Sequence, residues 1–127
     1  MGNTPITADA LLELDTNWHY AQSDGRQHYL LKAKHGRRVI GRAHGWFAPN
    51  ASFVLEKIEL DQRHRSKGFG TSMIACLRAQ ARHQHCTRFV FAGVMRNNAG
   101  AIRLYESMDA VVNILSDERC EYILSPP

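Results

Sequence analysis

Leu60-Asp61-Gln62-Arg63-His64-Arg65-Ser66-Lys67-Gly68-Phe69-Gly70-Thr71 is the stretch on which the reading of this chain turns. Before it, Ser52 to Leu60 alternates as a strand does. Val54, Glu56, Ile58 and Leu60 point one way, and Phe53, Leu55, Lys57 and Glu59 the other. After it the period changes to 3.6. Met73, Ile74, Leu77 and Ala81 form one helical face, and the helix is expected to run to about His83. A turn of small residues between strand and helix has a physical use, because a backbone without side chains can approach an anion closely. The amides from Lys67 to Thr71 fall in the helix's first turn, where they lack intrahelical acceptors and the dipole favours negative charge. Each such contact is worth about 0.3–1 kcal/mol. Arg65 and Lys67 add charge beside it. Alone, the stretch reads equally as an ordinary glycine turn. It lacks GxxxxGK[ST], which excludes a Walker loop, and Met73 stands where a dinucleotide fingerprint has its third glycine.

Toward the N-terminus, Ala8 to Leu14 reads as a short helix capped by Thr7, and Trp18 to Gln22 as a first strand. Ser23-Asp24-Gly25 is a turn signal. His28 to Ala33 and Arg38 to Trp46 read as hairpin strands, the second weakened by Gly41 and Gly45. Pro49-Asn50 marks the next turn. Toward the C-terminus, Arg88 to Val94 is a short apolar run of the kind buried on both faces of a sheet. A second helix follows Asn98, with Ala101, Leu104, Tyr105 and Met108 at i, i+3, i+4 and i+7. Ala110 to Leu115 and Glu121 to Leu124 read as closing strands around Asp117-Glu118. Strands, helix, strand, helix and two strands make a mixed α/β domain on one central sheet, expected to span residues 1–127.

The totals agree with that class. A chain of 127 residues fits one domain and buries a core without disulfide or metal staples. No apolar run approaches the roughly 18 residues of a membrane span, and Met1 to Pro5 has no signal-peptide pattern. Cys76, Cys86 and Cys120 are odd in number and form no CxxC pair, as expected of reduced thiols in a cytoplasm, with Cys76 as core filler. The net charge of +4 is spread from Arg26 to Arg119 without a basic block, which argues against a nucleic-acid binder. The local cluster Arg63, Arg65 and Lys67 suits a small anion instead. His83 and His85 diverge on a helix and make no metal pair, so no metal is expected.

A second motif decides between the readings. Asn98-Ala99-Gly100-Ala101-Ile102-Arg103-Leu104-Tyr105-Glu106 begins 28 residues after Gly70. The two segments together resemble the GNAT superfamily of N-acyltransferases. That family's [Q/R]-x-x-G-x-[G/A] is matched by Arg65, Gly68 and Gly70, and its preceding strand end by Ile58, Leu60 and Arg65. Its N-x-x-A-x-x-L-Y is matched at Asn98, Ala101, Leu104 and Tyr105. The resemblance covers about residues 38 to 124.

The resemblance implies an acyl-CoA N-acyltransferase fold that takes acetyl-CoA and an amine, with direct attack in a ternary complex. The pyrophosphate would sit on the amides of Arg65, Ser66, Lys67, Gly68, Phe69, Gly70 and Thr71. The pantetheine arm would run between two splayed strands, Ile58, Glu59 and Leu60 facing Ala92 to Val94, with Asn98 and Ala101 touching it. Tyr105 would protonate the departing thiolate, and a free N–H at Leu60 would polarise the carbonyl. Glu56 is the candidate base, roughly 13 Å along the strand from Leu60 and therefore acting through water, with Glu59 second. Three plainer readings stand beside these: Glu56 as a surface partner of Lys57, Tyr105 as core, and Asn98 as a helix cap. His64 is a further candidate for phosphate, and Trp18, Tyr20 and Trp46 are candidates for the acceptor pocket or the core.

Two departures from the family matter. Met108-Asp109-Ala110 replaces the family's Gly-Phe after the second helix. The N-terminal region is too short for the strand and two helices that wall the acceptor site in typical members. That shortening implies an open acceptor side, or closure by another subunit, and so a homodimer. It also raises the alternative of a CoA-binding regulatory module with little catalysis.

Overall fold

A computed structural model describes residues 12–65 and 68–127. The chain forms strands β1 (Leu12–Ser23), β2 (Arg26–His35), β3 (Arg38–Phe47) and β4 (Ser52–Leu60), then a 3-10 turn at Gln62–His64. Helix α1 (Phe69–His83), strand β5 (Arg88–Met95), helix α2 (Ala99–Ser107) and strands β6 (Val111–Ile114) and β7 (Arg119–Leu124) follow. One seven-stranded sheet results, in the order β1-β2-β3-β4-β5-β7-β6. Its β4–β5 pair is parallel and the other five pairings are antiparallel. The expected mixed sheet with flanking helices is the one found.

One expectation is overturned at its end. Leu12 to Leu14 lie in β1, not in a helix; the rest of the proposed Ala8–Leu14 helix lies outside the described residues. Leu12, Leu14, Thr16 and Trp18 alternate inward against exposed Glu13, Asp15, Asn17 and His19, a period of two that suits a strand edge. Asp24 and Gly25, both at positive φ, then turn β1 straight into β2. No helix intervenes between the first two strands.

The core lies on one face of the sheet. Tyr29, Leu31 and Ala33 of β2 meet Gly45, Ala43 and Gly41 of β3, and all three are fully buried. Rings run across the strands: Phe47 and Tyr29 each stack against Phe53, Phe53 against Phe89, and Phe91 against Tyr105 of α2. Met73, Ile74, Leu77 and Ala81 of α1 close over the same face, as their spacing required. The opposite face carries Lys32, Arg42, His44, Trp46, Lys57 and Glu59, and no helix of the described residues packs on it. Cys86 and Cys120 are buried and Cys76 is half-buried, all three as free thiols. No helix among the described residues is long and apolar enough to cross a membrane.

Candidate active site

The site begins where a ladder stops. β4 and β5 pair from Ser52–Arg88 to Leu55–Phe91 and no further. Each strand is bent there by one extra residue. On β4, Gly45 stands opposite Leu55 and His44 opposite Lys57, so Glu56 is the bulged residue. On β5, Phe91 faces Tyr122 and Val94 faces Cys120, so the bulge falls at Ala92–Gly93, with Gly93 at φ 65°. Two bends at one level drive the strands apart at their carboxyl ends, the usual ligand position beside a parallel pair.

This bulge corrects the strand reading. The alternation inferred for Ser52–Leu60 breaks at Glu56. Ile58 and Leu60 therefore join Phe53 and Leu55 on the helix-covered face, while Lys57 and Glu59 pass to the bare one. The cause lies on neighbouring strands. The Tyr29 hydroxyl donates to the Val54 carbonyl at 2.9 Å. A Cβ at Gly45 would lie 2.0 Å from that oxygen and 2.8 Å from the hydroxyl. Glycine at 45 thus leaves room for the displaced carbonyl, and Tyr29 satisfies it. Burial first, then the Glu56 carboxylate, holds the Tyr29 phenol well above its ordinary pKa, so it remains a donor.

The opened strands line a cleft together with α2. Its walls are Leu55 to Ile58 on β4, Ala92 to Met95 on β5, and Asn98, Ala101 and Tyr105. Asn98 caps α2, its side-chain oxygen accepting from the Ala101 amide at 3.2 Å, so the cap reading holds alongside the cleft position. Tyr105 is 6% exposed and stacks on Phe91 at 4.0 Å. Burial raises its pKa, so the phenol stays protonated through the physiological range. Its hydroxyl has no hydrogen-bond partner among the described residues.

The glycine turn lies on the same side. α1 starts at Phe69 behind Gly68 at φ 81°, with no side-chain cap. The Ser72 amide makes the first helical bond, to the Gly68 carbonyl at 3.0 Å, which leaves the Phe69, Gly70 and Thr71 amides without intrahelical acceptors. A Cβ at Gly68 or Gly70 would meet no atom within 4 Å. The cradle is open space bounded by donors. The Phe69 ring is buried against His35 and His64, so only its amide can serve a ligand. His64 turns inward the same way, and its Nδ1 is buried without a partner among the described residues. Ser66 and Lys67 lie outside the described residues.

Other expected residues lie elsewhere. Glu59, Leu60 and Arg65 line a neighbouring groove with Val39 to Arg42, not the cleft. Arg65 donates from Nε to the Leu60 carbonyl at 3.2 Å. Glu59 pairs with Lys57 at 2.7 Å, and that hydrogen bond and charge lower its pKa, which suits it poorly to be a base. Trp18 packs beside Tyr29 on the core side, whereas Trp46 lies on the bare face under Arg26, 4.0 Å from its ring centre. The sequence reading missed Lys57 and Met95 as cleft residues. Gly93 inside an apolar strand was the available signal for the bulge beside them.

An extended cleft at the mouth of a parallel strand pair, beside a glycine turn that opens a helix, defines an α/β domain built around one end of its sheet. The chain belongs to the acetyltransferase (GNAT) family, whose model matches residues 4–110. Among solved structures, a GNAT family acetyltransferase from Elizabethkingia anophelis with acetyl-CoA bound superposes with a TM-score of 0.73 at 10% identity, over 91% of this chain and 98% of that one. The Bacillus subtilis acetyltransferase in complex with CoA gives 0.67 at 12% identity, over 79% and 78%. The PaiA N-acetyltransferase of Thermoplasma acidophilum, in complex with coenzyme A, gives 0.67 at 16%, over 77% of this chain and 60% of that one. The search of curated proteins returned no significant match.

Proposed function

We propose that this acetyltransferase moves an acetyl group from acetyl-CoA to a primary amine by direct attack, with both substrates bound together and residues 1–127 acting as one domain. The observation that carries the reading is the cleft, in which Glu56, Asn98, Ala101 and Tyr105 converge at the carboxyl ends of β4 and β5, the end of the sheet from which the chain enters α1. The diphosphate of the donor would lie on the Phe69, Gly70 and Thr71 amides, with Arg65, Ser66 and Lys67 nearby. The thioester arm would follow the unpaired edge of β4 past Ile58, Glu59 and Leu60.

The chemistry then divides among few groups. An alkylamine with a pKa near 10.4 is neutral in about one molecule per thousand at about pH 7.4. Glu56, exposed at the bulge, takes the amine proton directly or through water; such help is worth about 10²–10⁴ in rate. The nitrogen lone pair attacks the thioester carbon, a C–N bond forms, and the C–S bond breaks. Tyr105 gives its proton to the leaving thiolate and regains one from the acylated nitrogen, so the amide, the free thiol and a protonated Glu56 result. The cytoplasm fits the three free thiols.

A second reading draws on the bare face. With β1 turning directly into β2, the described residues supply no helical wall for an acceptor, which suits a CoA-binding regulatory module. One experiment separates the two. Thiol release from acetyl-CoA is followed across a panel of amines, with binding measured in parallel. Activity in the wild type, lost in Tyr105→Phe and Glu56→Gln with donor affinity intact, supports the catalytic roles. Affinity without turnover toward any amine supports the module. Gly68→Glu places bulk and negative charge in the cradle and strains a left-handed position, so retained affinity there would refute the phosphate placement.

A further inference from the structure

Six large apolar side chains are exposed among the described residues, and four of them belong to one short segment: Val111, Val112, Ile114 and Leu115. That segment is β6 and its exit, and β6 is the outermost strand of the sheet. It is apolar on both sides. Val112 and Ile114 stand opposite Tyr122 and Cys120 on the helix-bearing face, while Val111 stands opposite Ile123 on the bare face. Val111 is 68% exposed. No charged residue occurs from Ala110 to Ser116. Edge strands that must stay single are normally guarded by charge, proline or a bulge. The other edge obeys that rule: β1 carries Glu13 and Asp15 and has a register shift after Asn17. β6 has none of these and keeps only its length of 4 residues as a guard.

We infer that β6 is the contact with a second copy of this chain, paired antiparallel about a two-fold axis through Asn113. A free strand edge offers alternating N–H and C=O groups that are complementary to themselves when reversed. A two-fold normal to the sheet keeps the helices of both copies on one side. Only residues facing the same way can then stand opposite each other, so the axis must pass through a residue. At Asn113 it sets Val112 against Ile114 of the second copy, and Val111 against its Leu115. The neutral segment brings no like charges together, although the chain carries +4 overall. The contact is linked to the cleft through the β6–β7 turn. Arg96 follows the cleft residue Met95 and holds the β6–β7 turn, its amide donating to Glu118 at 2.8 Å and its Nη1 to Ser116 at 3.2 Å.

The inference does not rest on acetyl transfer, and its test reads association instead. Residues directly opposite place their Cβ atoms about 4.5–5.5 Å apart, close enough for a disulfide or a short cross-linker. Asn113→Cys is expected to form a covalent dimer on mild oxidation. Val111→Cys, facing Leu115, is expected to form little, and the unsubstituted chain with its three native thiols is the control. Sedimentation is expected to show a dimer at micromolar concentration, and Ile114→Lys a folded monomer with an unchanged circular dichroism spectrum. A monomeric wild type, a dimer that survives Ile114→Lys, or an Asn113→Cys dimer that does not cross-link would each overturn the assignment.

Discussion

β4 and β5 are one strand pair with two halves, and the halves do opposite things. From Ser52 to Leu55 the strands are in register, and Phe53, Phe89 and Phe91 fill the space beneath them. From Glu56 onward they part, and the space between them is a cleft. Composition does not explain the difference, since Ile58 and Val94 are as apolar as Val54 and Val90. A single extra residue on each strand does. The closed half supplies the stability against which the open half can be held apart.

That contrast can be broken from either side. The largest effect is expected in the closed half. Phe53→Ala removes a fully buried ring that stacks on three others and should cost about 3–5 kcal/mol in chemical denaturation. Donor affinity of the molecules that remain folded should change little. Gly45→Ala comes next. Its methyl would collide with the Val54 carbonyl, forcing the bulge to rearrange for about 1–3 kcal/mol and raising KM for acetyl-CoA. An unaltered KM would show that the bulge does not shape the cleft.

Tyr29→Phe keeps the stack but leaves the Val54 carbonyl without its donor, at a cost of about 1–3 kcal/mol, with the lower end expected if water replaces the hydroxyl. The phenol's pKa is raised on folding. Its contribution is therefore whole below about pH 10 and is lost as pH climbs through the folded value, so Tyr29→Phe should soften alkaline unfolding. The smallest effect is one of shape. Because burial raises the Tyr105 pKa, kcat/KM should climb toward about pH 10 as the amine deprotonates, with no falling limb before then. A decline starting near pH 8 would remove Tyr105 as the proton donor.

Local patterns made much of this legible. The period change after Gly70, the apolar run at Arg88 and the cap at Asn98 each report on a few neighbouring residues, and α1, β5 and α2 appear where they indicate. The same locality places Glu56, Ile58, Asn98, Ala101 and Tyr105 on one cleft. The bulge at Glu56 was not legible. It depends on a glycine eleven residues earlier and a tyrosine twenty-seven residues earlier, brought alongside only by sheet register. Without it, Ile58 and Leu60 are grouped with Val54 instead of with Phe53 and Leu55. The misread start of β1 is different in kind. Leu-Glu-Leu-Asp already alternates, and a leucine-rich segment after a capping threonine overrode that signal.

The direct passage from β1 to β2 has a kinetic meaning. The described residues place no hinged cover over the bare face beside the cleft, so these residues have nothing to swing aside before product leaves. Among the described residues no helix walls the bare face, so they set no helical limit on the bulk of the acceptor proposed above.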